Sequence, residues 1–168
     1  MIIVNSAPSD IEEIFRLYRL ATEYQKLKAS VLWPEFEREL VIKEIKEQRQ
    51  WKIMINDSIA CVFATTFNDP FIWKERDKEP SVYIHRIATN PAKRGNNFVT
   101  AIANWAKTYA KENGRRFIRL DTVGENKELI NYYQKCGFTF LGLFKLTDTE
   151  SLPAHYHNAS VSLFEISL

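Results

Sequence analysis

The sequence predicts an α/β protein built around one strand–helix–strand unit, and three observations carry that prediction. Residues 83–89, Tyr-Ile-His-Arg-Ile-Ala-Thr, are rich in β-favouring side chains and stop at Asn90-Pro91, where proline removes a ladder donor and sets φ. Phe98, Ala101/Ile102, Trp105 and Thr108/Tyr109 then recur at helical spacing and end at Asn113-Gly114, a C-terminal signal. A further strand, Arg116 to Val123, follows at once. Strand, loop, amphipathic helix and strand make a βαβ unit, so the two strands are expected to be parallel with a right-handed crossover.

The flanking elements follow in order. Residues 2–4 form a short apolar strand. Ser6, Ser9 or Asp10 can cap the next helix, and Glu12 and Glu13 suit its first turn. Its buried stripe is Ile11, Ile14/Phe15, Tyr18 and Ala21, and it fades near Lys28. Pro34 is expected in the first turn of a second helix that runs to about Gln50, with Phe36, Leu40/Val41 and Ile45 inward. Trp33, between the two helices, either packs on the core or lines a pocket. Residues 51–55 and 59–67 read as a hairpin turned at Asn56-Asp57-Ser58. Residues 68–80 read as a loop whose charged run, 74–78, is a solvated tip. Its apolar part, Phe71, Ile72 and Trp73, is a candidate acceptor wall. A helix over 126–135 ends at Gly137. A strand over 138–144 is expected to pair with a last strand over 161–166, across an irregular stretch at 147–158.

Composition narrows the function. The chain has 168 residues, 45% hydrophobic and 26% charged, the make-up of a globular protein in one domain with a real core. The net charge of +2 argues against a dedicated nucleic-acid binder. Cys61 and Cys136 sit in apolar surroundings and read as thiols without metal-ligand spacing to histidine. No signal peptide or membrane span is expected. These features lead us to expect a cytoplasmic protein with no metal, no nucleic-acid partner and no membrane partner.

The loop after the first strand of the βαβ unit carries the functional signal. It delivers Lys93, Arg94, Gly95, Asn96, Asn97 and Phe98 to a helix amino end, where free N–H groups and a partial positive charge hold anions. Gly95 allows close approach of the backbone, and Lys93 and Arg94 add charge. From these residues alone, a phosphate or pyrophosphate site and an ordinary βα turn both remain open.

Arg94-Gly95-Asn96-Asn97, which begins five residues after the strand end Ile87-Ala88-Thr89 and three after Pro91, resembles the acyl-CoA loop of the GNAT superfamily of N-acetyltransferases. A second stretch, Asn126-Lys-Glu-Leu129-Ile-Asn-Tyr132-Tyr133-Gln-Lys-Cys-Gly137-Phe138, resembles that family's later helix and turn. Together the motifs span about residues 82 to 142. The element order β-α-α-β-β-β-α-β-α-β-β is also that of the GNAT fold. The resemblance implies a mixed sheet flanked by helices, splayed where the parallel strands part, in a single domain over 1–168. It also implies acetyl-CoA as co-substrate and a small-molecule or peptide amine as acceptor, in a monomer or homodimer.

Residue roles are implied in the same way. The backbone of Ile87, Ala88 and Thr89 would polarise the thioester, residues 93–98 would hold the pyrophosphate, and Asn126 would contact the cofactor. Tyr133 would protonate the departing thiolate, since a phenol with a pKa near 10 is a donor at neutral pH. Strand alternation puts Tyr83, His85, Ile87 and Thr89 on one face and Ile84, Arg86 and Ala88 on the other. An ordinary imidazole titrates near 6.5, so His85 reads either as a base or as a core histidine. Asp121 could hold the amine or orient His85; equally, it could bond its own loop or pair with Arg119 or Arg86. Trp33, Trp73 and Tyr83 are candidate acceptor contacts, while His155 and His157 read as solvated. The usual second glycine of the loop is replaced by Asn97, whose side chain would hinder a phosphate, bond it, or cap the helix. A non-catalytic acyl-CoA-sensing or partner-binding module is the alternative to an enzyme.

Overall fold

The computed structural model describes residues 1–28 and 30–168. Seven strands follow the sheet order β1-β2-β3-β4-β5-β7-β6, a mixed sheet with flanking helices. The chain divides into two compact units, each discontinuous in sequence. One is Met1–Thr65 with His85–Phe98, and the other is Thr66–Ile84 with Val99–Leu168.

The first unit holds β1 (Ile2–Asn5), α1 (Ile11–Leu27), α2 (Arg38–Lys46), β2 (Gln50–Ile55) and most of β3 (Ser58–Thr66). Asp10 precedes α1 and is fixed twice: its Oδ2 accepts the Ala7 amide at 2.6 Å and the Lys52 ammonium at 2.7 Å. Ile11, Ile14, Leu17 and Tyr18 turn inward and meet Val41 and Ile45 of α2, the stripe expected from 3.6-residue spacing. The second helix starts four residues later than Pro34 predicts. Glu37 before it is extended, with φ −64° and ψ 136°. Trp33 and Phe36 pack edge-on against the Tyr18 ring at 6.0 and 5.4 Å. Aromatic packing thus holds the segment open where local propensity favours a turn of helix. β2 and β3 form the expected antiparallel hairpin, with a register shift between Ile53 and Met54.

The second unit opens on the stretch expected to be a loop. Pro70–Trp73 is instead a short helix, α3, with proline in its first turn, and Lys74–Lys78 continue as a 3-10 turn. α4 (Phe98–Glu112), β5 (Phe117–Val123), α5 (Lys127–Lys135), β6 (Thr139–Lys145) and β7 (Ser160–Ser167) follow. The parallel pairing predicted for the βαβ unit is present: Ser81, Val82 and Tyr83 of β4 (Ser81–Thr89) lie opposite Phe117, Ile118 and Arg119. β7 pairs antiparallel with both β5 and β6, which confirms the late hairpin and sets β7 between them.

Arg119 shows why the 74–78 run is more than a solvated tip. Its guanidinium is fully buried. It binds Glu165 at 2.7 Å, the Arg76 carbonyl at 2.6 Å and the Glu79 carboxylate. A buried charge is tolerable only when paired in this way. No helix among the described residues is long and apolar enough to cross a membrane.

Candidate active site

The loop after β4 is built from local hydrogen bonds. The Asn90 amide donates to the Ala60 carbonyl at 2.9 Å, and its side chain accepts the Ala92 amide at 3.1 Å. That caps a single 3-10 turn, Pro91–Lys93. Asn96 Nδ2 then donates to the Lys93 carbonyl at 2.7 Å. Residues 94–97 are exposed, whereas the Phe98 side chain is buried. Only the backbone of Phe98 therefore faces a ligand.

Gly95 has φ 86° and Asn97 has φ 53°. Both lie in the left-handed region, which asparagine enters more readily than other side-chain-bearing residues. The replacement of the second glycine is thereby explained: the backbone needs a positive φ, and asparagine supplies it. A Cβ on Gly95 would meet nothing within 4 Å, so space at the loop is open. The residues present fit a bound pyrophosphate: open backbone, adjacent cations and the first turn of a helix.

Upstream, Ala88 is buried, while Ile87 and Thr89 are half-buried. Thr89 Oγ1 lies 3.6 Å from Cys61 Sγ. Arg86 has φ 51° inside the strand. A left-handed residue in a strand marks a bulge and interrupts the two-residue side-chain period. Alternation therefore no longer assigns His85 to the face of Ile87 and Thr89. The Arg86 side chain is drawn into the core of its unit. It binds Glu44 at 2.5 Å and the Tyr18 hydroxyl at 3.3 Å, and lies over the Phe36 ring. Burial, with the neighbouring charges of Arg86 and Arg49, pushes His85 down to about 3. The expectation of an imidazole titrating near 6.5 is corrected accordingly, because a charged ring is disfavoured there. Trp33 is half-buried between Tyr18 and Phe36, so it packs on the core.

The second unit carries the later motif. Asn126 is the N-cap of α5, and its side chain accepts the Leu129 amide at 3.1 Å. Tyr133 is half-buried on the same helix, its ring 5.0 Å from that of Phe164 and 5.9 Å from that of Phe138. Asp121 is paired neither with Arg119 nor with Arg86, since those guanidinium groups are taken by the acids named above. It accepts the Tyr156 hydroxyl at 2.8 Å. Burial raises Asp121 to about 6, with the Tyr156 bond opposing.

Sequence reasoning missed Asp69, which lies in the stretch read as a loop. Burial and the nearby Asp121 charge raise it to about 8. Trp73 and Tyr83, proposed as acceptor contacts, are 2% and 0% exposed and pack together at 5.6 Å in the core, so neither presents an open face. His155 is half-buried with its ring 4.1 Å from that of Tyr156 and tilted by 37°, rather than solvated, and exposed His157 bonds the Leu152 carbonyl.

With this geometry in place, the comparisons with known proteins identify the class. The Acetyltransferase (GNAT) family model matches residues 11–138, and the chain belongs to that family. Over 74 residues it is 30% identical to the uncharacterized N-acetyltransferase YesJ of Bacillus subtilis, an alignment covering 44% of this chain and 41% of that protein. It thus spans less than half the length of the curated relatives it matches. Its fold is similar to a GNAT family acetyltransferase of Listeria monocytogenes, with a TM-score of 0.77 at 20% identity, covering 99% of this chain and 94% of that one. It is also similar to yncA of Salmonella typhimurium, solved with its cofactor acetyl-CoA. There the TM-score is 0.70 at 12% identity, with 100% and 94% covered.

Proposed function

We propose that this chain is an acetyl-CoA-dependent N-acetyltransferase, a single GNAT-like domain over residues 1–168. It transfers an acetyl group to a primary amine of a small molecule, amino acid or peptide by direct attack in a ternary complex. The observation that carries this reading is the loop between β4 and α4. Two left-handed residues, Gly95 and Asn97, lie just before a 15-residue helix whose first N–H groups have no partner within the helix.

Acetyl-CoA supplies a thioester whose acyl C–S bond breaks as the C–N bond forms. The amides of residues 93–98 and the Arg94 guanidinium hold the pyrophosphate, and Asn126 adds a cofactor contact. The backbone of Ile87, Ala88 and Thr89 polarises the carbonyl. The Tyr133 hydroxyl gives its proton to the sulfur. Asp121, at about 6, is ionised above neutral pH and attracts a cationic amine end. The reacting nitrogen, with an ordinary pKa near 10, releases one proton to water before attack; the second, left on nitrogen once the C–N bond has formed, passes through water to the Tyr133 phenolate and restores it. His85, held at about 3, stays neutral near neutral pH and does not store a proton. The free cysteines Cys61 and Cys136 suit a reducing compartment such as the cytoplasm.

The weak basicity of His85 favours one alternative, a module that binds acyl-CoA without turnover. Calorimetry with acetyl-CoA, followed by a thiol-release assay across a panel of amines, separates the two. Binding with amine-dependent thiol release supports the enzyme, binding without release supports the module, and no binding removes both. Tyr133→Phe is expected to lower kcat by about tenfold or more, with little change in KM for acetyl-CoA. An unchanged kcat under chemistry-limited conditions removes Tyr133 from the mechanism.

A further inference from the structure

The exposed Arg94 side chain lies over an aromatic ring. Its guanidinium carbon lies 4.0 Å from the centroid of the Tyr24 ring, on α1. The Lys28 ammonium, at the carboxyl end of the same helix, lies 5.9 Å from that centroid. Tyr24 is 40% exposed, so the ring face can carry the guanidinium at the surface. Among the described residues no carboxylate pairs with Arg94 or Lys28. Two cations therefore gather on one exposed ring without an acid to neutralise them.

The geometry matters for what Arg94 can do. Stacking uses the face of the guanidinium and leaves its edge, where the N–H donors lie, available to an anion. An arginine already stacked also has less conformational freedom to lose when a phosphate arrives. We propose that Tyr24 is a positioning residue for Arg94, and that with Lys28 it makes the end of α1 part of the phosphate-binding subsite. This deepens the acetyl-CoA reading given above and rests on it. The ligand class is a phosphate anhydride carried next to an aromatic-stacked arginine.

The test is calorimetric titration of wild type, Tyr24→Leu, Tyr24→Phe, Arg94→Ala and the Tyr24→Leu/Arg94→Ala double variant. The probes are acetyl-CoA and, separately, inorganic pyrophosphate. Tyr24→Leu is expected to weaken both ligands about two- to fivefold, the range of an exposed cation–π contact. Tyr24→Phe, which keeps the ring face, is expected to bind like wild type. In the Arg94→Ala background Tyr24→Leu is expected to add nothing. Wild-type affinity in Tyr24→Leu, a loss in Tyr24→Phe, or additive penalties in the double variant would each overturn the proposal. If wild type binds pyrophosphate but not acetyl-CoA, the acetyl-CoA reading falls while the Tyr24 series is still decided on pyrophosphate. If it binds neither, both fall.

Discussion

At the scale of single residues, backbone conformation explains more than side-chain identity. Gly95 and Asn97 both hold a positive φ, and the two differ only in how readily their side chains tolerate it. Asn97→Gly is therefore expected to leave acetyl-CoA affinity unchanged. Gly95→Val places a β-branched residue in the left-handed region, at a cost of about 1–3 kcal/mol. With open space around the new Cβ, the loop relaxes out of the left-handed conformation rather than carrying that strain. Calorimetry should show weakened binding at a nearly unchanged Tm. Wild-type affinity in Gly95→Val would refute close backbone approach. The sequence showed the glycine; that the asparagine shares its conformation is a property of the folded loop.

At the scale of elements, the bulge in β4 and helix α2 depend on one buried pair. Arg86 and Glu44 meet with side chains 14% and 5% exposed, and the Tyr18 hydroxyl and Phe36 ring complete the enclosure. Removing one partner leaves the other charge buried, which costs on the order of 3–5 kcal/mol. Glu44→Ala should lower urea-unfolding stability by that amount. Adding Arg86→Met should recover part of it. No recovery would mean the loss comes from packing and not from a stranded charge. Nothing in the spacing of α2 announced this: Glu44 sits in a helix that reads as amphipathic, and its inward direction is set by an arginine 42 residues away.

At the scale of the whole molecule, three shifted groups set the pH dependence of stability. Asp69 and Asp121 are raised to about 8 and about 6. They bind protons in the folded state that the unfolded chain has released, so their contribution is lost as pH rises through those values. His85 is lowered to about 3; the unfolded chain binds its proton first, so that contribution is lost as pH falls below about 6.5. Between roughly pH 4 and 6 the two carboxylates act together and the histidine offsets only one of them. Above that window Asp69 dominates. The unfolding free energy is expected to fall from pH 6.5 to 8, with a slope on the order of 1 kcal/mol per pH unit, and Asp69→Asn should flatten it. An unchanged slope in Asp69→Asn would place the titrating group elsewhere.

By itself the sequence determined the strand–helix–strand unit, the parallel pairing around Tyr83, the turn with Gly95 that leads into α4, and the helix that ends before Gly137. Each is a local matter of period, proline, glycine or cap, and needs no knowledge of what lies across the fold. Only the tertiary structure decided that Arg86 bulges its strand, that Trp73 and Tyr83 are core, that Asp121 bonds Tyr156, and that residues 70–73 are helical. The placements of Arg86 and Asp121, like that of Arg119, turn on which buried polar group finds which partner. Such pairings join positions 35 to 46 residues apart and leave no periodic trace in the chain.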